Sequence, residues 1–175
     1  GAKILEKNEL SLDFWIYHTQ LNELEFVAKT LPDLSIILNH IGGPIQVGPY
    51  EGKQGITHRE WRRSMMRLAV FPNIKVKLGG LGMKVCGSKF NLNPKPPSSD
   101  QLSELWKSWF FETIICLELT DVCSKATFRL IKVVVATEFY GTLLKKSALI
   151  FQMMKRINFF TKTRSTAQPV TLVMR

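Results

Sequence analysis

"LSIILNHIGGP", residues 34–44, sets a run of apolar side chains against a polar end and a double glycine. The run from Leu34 to Leu38 has the length and bounds of a buried strand. Gly42, Gly43 and Pro44 then let the backbone turn sharply just past His40.

The stretches on either side repeat this plan. "LSLDFWIYH" (10–18) reads as a strand ending on His18, and "TQLNELEFVAKTLP" (19–32) as a helix whose face holds Leu21, Leu24, Val27 and Ala28 and which Pro32 stops. Beyond the loop "IGGPIQVGPYEGKQG" (41–55), Trp61, Met65, Leu68 and Ala69 mark a second helix. "PNIKVKLGGLG" (72–82) is a third strand ending in glycines. After the connector "NLNPKPPSSD" (91–100), where Ser99 or Asp100 would cap it, "LSELWKSWFFETIICLE" (102–118) forms a third helix. Three strand–helix units in series predict an α/β fold with a parallel sheet and outer helices, either doubly wound or a (β/α)8 TIM barrel. The barrel is preferred, because each strand ends in polar or glycine residues followed by a loop, and in a barrel the chemistry sits at that end.

Candidate residues follow from that placement. An imidazole at a strand end, as at His40 and His18, binds a metal or exchanges a proton near neutral pH, or else serves as a hydrogen-bonded structural residue. His58, at the start of a helix among charges, reads as a solvated or capping residue. Arg59, Arg62 and Arg63 offer guanidinium groups for a carboxylate substrate, against the alternative of a solvated helix face. "GGLGM" (79–83) brings backbone amides close to a ligand but lacks the spacing of a dinucleotide or phosphate-binding loop. No GxSxG elbow, HExxH or paired CxxC occurs. Cys86, Cys116 and Cys123 match no disulfide or zinc framework and read as reduced thiols, which points to a cytoplasmic setting. The opening residues lack a secretory-signal pattern, and no apolar run reaches the roughly 20 residues of a membrane span.

The segments "LDFWIYHTQLNEL", "IILNHIGGP", "VGPYEG", "EWRRSMMRLAVFPNIKVKLGGLGM" and "PPSSDQLSELWKSW" together resemble the amidohydrolase-related family of TIM-barrel hydrolases, in its lactonase-like branch. The resemblance covers roughly residues 10–123. It implies a partial barrel of about strands five to seven, with His18 on the fifth strand, His40 on the sixth and "VKLGGLG" on the seventh. It further implies hydrolysis of a lactone or similar carbonyl substrate by water attack. His18 and His40 are then catalytic or metal-binding residues for a zinc-like divalent ion, and Tyr50, Arg62, Arg63, Gly79 and Gly80 contact a small-molecule substrate. Asn39 departs from the aspartate such relatives place before the histidine. The first-strand histidine pair of the family has no counterpart in this chain.

The resemblance stops at Cys123. Of 175 residues, 24 are Lys or Arg and 14 are Asp or Glu, a net charge of +10. Residues 124–175 hold ten of the basic side chains and a single acid, Glu138. Where the family continues "MFESNFPVDK" on the eighth strand, this chain reads "SKATFRLIK". Back-translated as TCG AAA GCA ACT TTC CGG TTG ATA AAG and read one base earlier, from the last base of a TGT codon for Cys123, the same bases encode "FESNFPVDK". Residues 1–123 are therefore expected to be the family's C-terminal part and 124–175 a tail read out of frame. The isolated chain is then expected to be inactive and to self-associate through exposed edges. The other reading is a noncatalytic basic module. It would bind nucleic acid through Phe128, Phe139, Tyr140, Phe159, Phe160 and their basic neighbours, or an anionic membrane surface through "LLKKSALIFQMMKRINFF" (143–160). By pattern, "FRLIKVVVA" (128–136) is a strand and the neighbourhood of "TLLKKSALIFQMMKRI" (142–157) a helix.

Overall fold

The computed structural model describes residues 1–119 and the short strand 133–135. In chain order these form α1 (Ala2–Lys7), β1 (Ser11–Phe14), α2 (Leu21–Thr30), β2 (Ser35–Leu38), α3 (Gln54–Leu68), β3 (Ile74–Leu78), α4 (Ser99–Leu119) and β4 (Val133–Val135), with short 3-10 segments in the loops after β1, β2 and β3. The four strands lie parallel in the order β1-β2-β3-β4. Ser11 pairs with Ser35, Leu38 with Val76, and Leu78 with Val135. The strand order never reverses, so these strands have no switch-point crevice of the doubly wound kind.

Alternation along the strands sets the two faces apart. Ile36, Leu38, Ile74, Val76 and Leu78 are buried, and the residues between them are half-buried. Period-2 geometry puts the buried set on one face. That set shares one apolar core with Leu21, Leu24 and Ala28 of α2, Trp61, Met65 and Leu68 of α3, and Leu102, Trp106, Phe110 and Ile114 of α4. The other face carries polar groups across the strands. Lys77 of β3 forms an ion pair with Asp13 of β1, and Lys75 Nζ donates to Ser35 Oγ at 2.8 Å. The sheet is therefore apolar toward its helices and polar on the opposite face.

Several details differ from the sequence reading. The first strand ends at Phe14, and the segment from Trp15 to Tyr17 leaves the sheet, so His18 sits in a 3-10 turn. Tyr17's backbone N–H is taken by the Gln20 side chain instead of a strand partner. Ser98, and not Ser99 or Asp100, caps α4: its Oγ accepts the Gln101 N–H at 3.3 Å, and Gln101 Oε1 accepts the Ser98 N–H at 2.8 Å. The helix Ala2–Lys7 was not expected; Glu6 on it accepts the Asp33 N–H. Of the strand expected in 128–136, Val133–Val135 form β4, and its other residues lie outside the described residues. The helix expected in 142–157, Glu138, and the aromatic residues Phe128, Phe139, Tyr140, Phe159 and Phe160 lie outside the described residues. No helix among those described is long and apolar enough to cross a membrane.

Candidate active site

Both strand-end histidines are held by one short loop. After β2 the chain enters four consecutive left-handed residues, His40 (φ 55°), Ile41 (φ 51°), Gly42 (φ 74°) and Gly43 (φ 42°). Glycine takes this conformation freely, but His40 and the β-branched Ile41 do not, so tertiary contacts must hold them there. Gly43 N–H donates to the His40 carbonyl at 3.0 Å, and the buried Trp61 indole N–H donates to the Ile41 carbonyl at 2.7 Å. The same loop brackets His18. The Gly43 carbonyl accepts the His18 backbone N–H at 3.3 Å, and Ile45 N–H donates to His18 Nδ1 at 3.2 Å.

The result is two imidazoles at the C-terminal ends of adjacent strands, each with a buried nitrogen that has no hydrogen-bond partner: Nε2 of His18 and Nδ1 of His40. The Tyr50 ring meets His18 edge-on at 5.1 Å between centroids, and Trp15, nearly half exposed, meets His40 at 6.1 Å. Gly80 (φ 79°) closes the far side: a Cβ there would lie 2.4 Å from His40 Cβ and 2.7 Å from its Nδ1. Gly79, buried at the end of β3, carries the backbone to that contact.

Of the residues singled out from sequence, His18, His40, Tyr50, Gly79 and Gly80 come to this end of the sheet. Arg62 and Arg63 do not join them. Both lie on the exposed side of α3, where Arg62 Nε pairs with Glu112 of α4 at 2.5 Å. His58 packs edge-on against Trp109, 4.7 Å between centroids, and beside Trp61, and so is a helix-packing residue. Trp15 and Lys77 were not singled out. Neither carries a local signal: Trp15 stands among other aromatics, and Lys77 alternates with apolar residues along β3. Only the sheet register shows that Lys77 crosses to Asp13 on the sheet's polar face. Cys86 and Cys116 are free and buried, and burial pushes the Cys86 thiol up to about 11, which keeps it un-ionised and unreactive at neutral pH.

Burial lowers the pKa of His18 from its ordinary 6.5, with Glu60 opposing. Burial, and then the Lys77 cation, lower that of His40. Both shifts favour the neutral ring. Below about pH 6.5 the unfolded chain takes up protons that the folded chain refuses, so the stability these sites contribute is complete above that pH and lost as pH falls. The urea midpoint should drop between pH 7.5 and 5.5, with a slope of at most about 1.4 kcal/mol per pH unit for each histidine. The His18→Gln/His40→Gln variant should show a smaller drop; an equal drop in both proteins would remove the histidines as its source.

Among the described residues no group of three or more His, Cys, Asp or Glu side chains is placed to hold a metal. Asp13, on the sheet's polar face, is already paired with Lys77.

The described fold is thus a parallel sheet with helices on its apolar face and two histidines beyond its strand ends. The chain belongs to the amidohydrolase family, whose model matches residues 1–111. It is 40% identical over 85 residues to an uncharacterised protein, y4mH, of Sinorhizobium fredii, a match covering 47% of this chain and 26% of that protein. Two crystal structures of an amidohydrolase from Burkholderia multivorans share the fold, one with bound HEPES (TM-score 0.57, 15% identity) and one with bound zinc (TM-score 0.55, 14% identity). Each match covers 95% of this chain and 50% of the other, so the chain spans about half the length of those structures.

Proposed function

We propose that this chain is the C-terminal part of a (β/α)8 hydrolase acting on a lactone or similar carbonyl substrate by attack of water. The observation that carries the reading is the pair of buried imidazole nitrogens without partners at adjacent strand ends. A buried polar nitrogen left unpaired costs about 1–3 kcal/mol, which a bound oxygen ligand, water or metal would recover. In this reading His40 and His18 face the reacting carbonyl, Tyr50 and Trp15 flank it, and the Gly79–Gly80 turn admits it close to the backbone. Lys77 supplies positive charge from the inner face. A divalent ion, where the whole protein uses one, takes His40 from this chain and its other ligands from outside the described residues.

Asp13 is paired with Lys77, and Glu60, the carboxylate that acts on His18, is exposed on α3; the eighth-strand acid that the family resemblance implies lies outside the described residues, so the chain alone is expected to be inactive. Purified chain assayed against a panel of sugar and dicarboxylate lactones, with and without zinc, should give no turnover. Turnover abolished by His40→Ala would overturn the inactivity and support the site. The missing carboxylate is proposed to be encoded in the neighbouring frame after Cys123. DNA sequence across codons 118–130 should contain that "FESNFP" frame, and its absence would remove the frameshift explanation of the basic tail.

A further inference from the structure

We infer that His18 serves the site as a fixed hydrogen-bond donor to a ligand oxygen, through Nε2–H, and is not a metal ligand. The inference rests on the hydrolase reading for the identity of the oxygen, a carbonyl or carboxylate, but not for the state of the ring.

That state follows from one contact. Ile45 N–H points at His18 Nδ1 across 3.2 Å. A backbone amide can only donate, so Nδ1 must present its lone pair. An imidazolium would set a second hydrogen against the first, and the neutral ring has one hydrogen left, which must sit on Nε2. A metal needs a lone pair, not a hydrogen, at the nitrogen it meets. To offer one, His18 would have to move its proton to Nδ1 and break the Ile45 contact. A metal-binding histidine ordinarily has the reverse arrangement, its second nitrogen donating to a carbonyl or carboxylate.

The Ile45 amide is poorly placed to turn away. Pro44 precedes it, and Gly43, one residue earlier, accepts the His18 backbone N–H. Loop and histidine thus hold each other at two points, and rotating the amide disturbs both. The Tyr50 ring, edge-on at 80°, limits the tilt of the imidazole. His18 is 4% exposed, and its Nε2 is buried and without an acceptor. A donor locked in direction and left unpaired is what a polarising contact to a carbonyl oxygen requires.

The experiment is two-bond 1H–15N correlation on the full chain labelled with 15N-histidine. The His18 signals are assigned by their loss in His18→Gln and, independently of any variant, by proximity to the Tyr50 ring. His18 should show a protonated Nε2 and an unprotonated Nδ1, two resonances tens of ppm apart, and zinc should move neither. Titration with glutarate or γ-butyrolactone, which offer carboxylate and ester oxygens, should shift Nε2–H. A proton on Nδ1, displacement of either His18 nitrogen by zinc, or no response to either oxygen probe would overturn the inference. The absence of turnover expected of the isolated chain leaves this inference untouched, because the tautomer and the zinc response are read without turnover.

Discussion

Gly80→Ala should be among the most damaging single-methyl changes in this chain, and should act through His40. Two costs combine. Gly80 lies at φ 79°, where an L side chain costs about 1–2 kcal/mol. The new Cβ would also stand 2.4, 2.5 and 2.7 Å from His40 Cβ, Cγ and Nδ1, distances that real atoms do not share. His40 cannot simply swing aside, because its backbone is held left-handed and its carbonyl accepts the Gly43 N–H. Overpacking of this kind adds about 1–3 kcal/mol. A lowered urea midpoint together with a displaced His40 imidazole resonance is the expected result. His40→Gly provides the test of cause. Alanine would not serve, since His40 Cβ is itself the nearest clashing atom. His40→Gly removes the clash and the left-handed strain at residue 40 together, so Gly80→Ala should cost much less in that background. Equal cost in both backgrounds would show that the contact is not the reason.

That contact marks where sequence reasoning reaches its limit. The strand–helix series and its parallel sheet were legible because apolar periodicity and turn residues are local signals, and Leu21, Leu24, Trp61, Met65 and Leu68 are buried as their spacing predicts. His18, His40 and Gly80 were legible as strand-end residues, and Tyr50 through the resemblance. Three features were not. The left-handed conformation of Ile41 runs against the preference of a β-branched residue, and only the Trp61 indole, 20 residues away, explains it. The Lys77–Asp13 pair joins residues 64 apart across an intervening strand. Arg62 and Arg63 suit a carboxylate by chemistry, but the helical phase set by Trp61 and Met65 turns them outward. Residue type suggested the chemistry, while direction came from the packing of neighbouring elements.

The second large effect is expected at Trp61, which joins the core to the site. Its ring is fully buried on α3 and meets Trp109 of α4 at 4.8 Å, while its indole N–H reaches over the sheet end to the Ile41 carbonyl. Trp61→Ala should cost about 3–5 kcal/mol through the cavity alone, which would say little about function. Trp61→Phe is more informative, since it keeps most of the aromatic volume and removes the donor. The Ile41 carbonyl is then left buried and unpaired, at about 1–3 kcal/mol, and the left-handed turn loses the bond that holds it. His40 and His18 should both respond, because Gly43 and Ile45 of the same loop contact His18. The control is Leu24→Ala on α2, a core truncation expected to cost about 2–5 kcal/mol. If Trp61 positions the histidines, Trp61→Phe will shift both imidazole resonances in the folded protein and Leu24→Ala will leave them in place. If Trp61 only fills the core, the two variants will differ in stability and not in the histidine spectra.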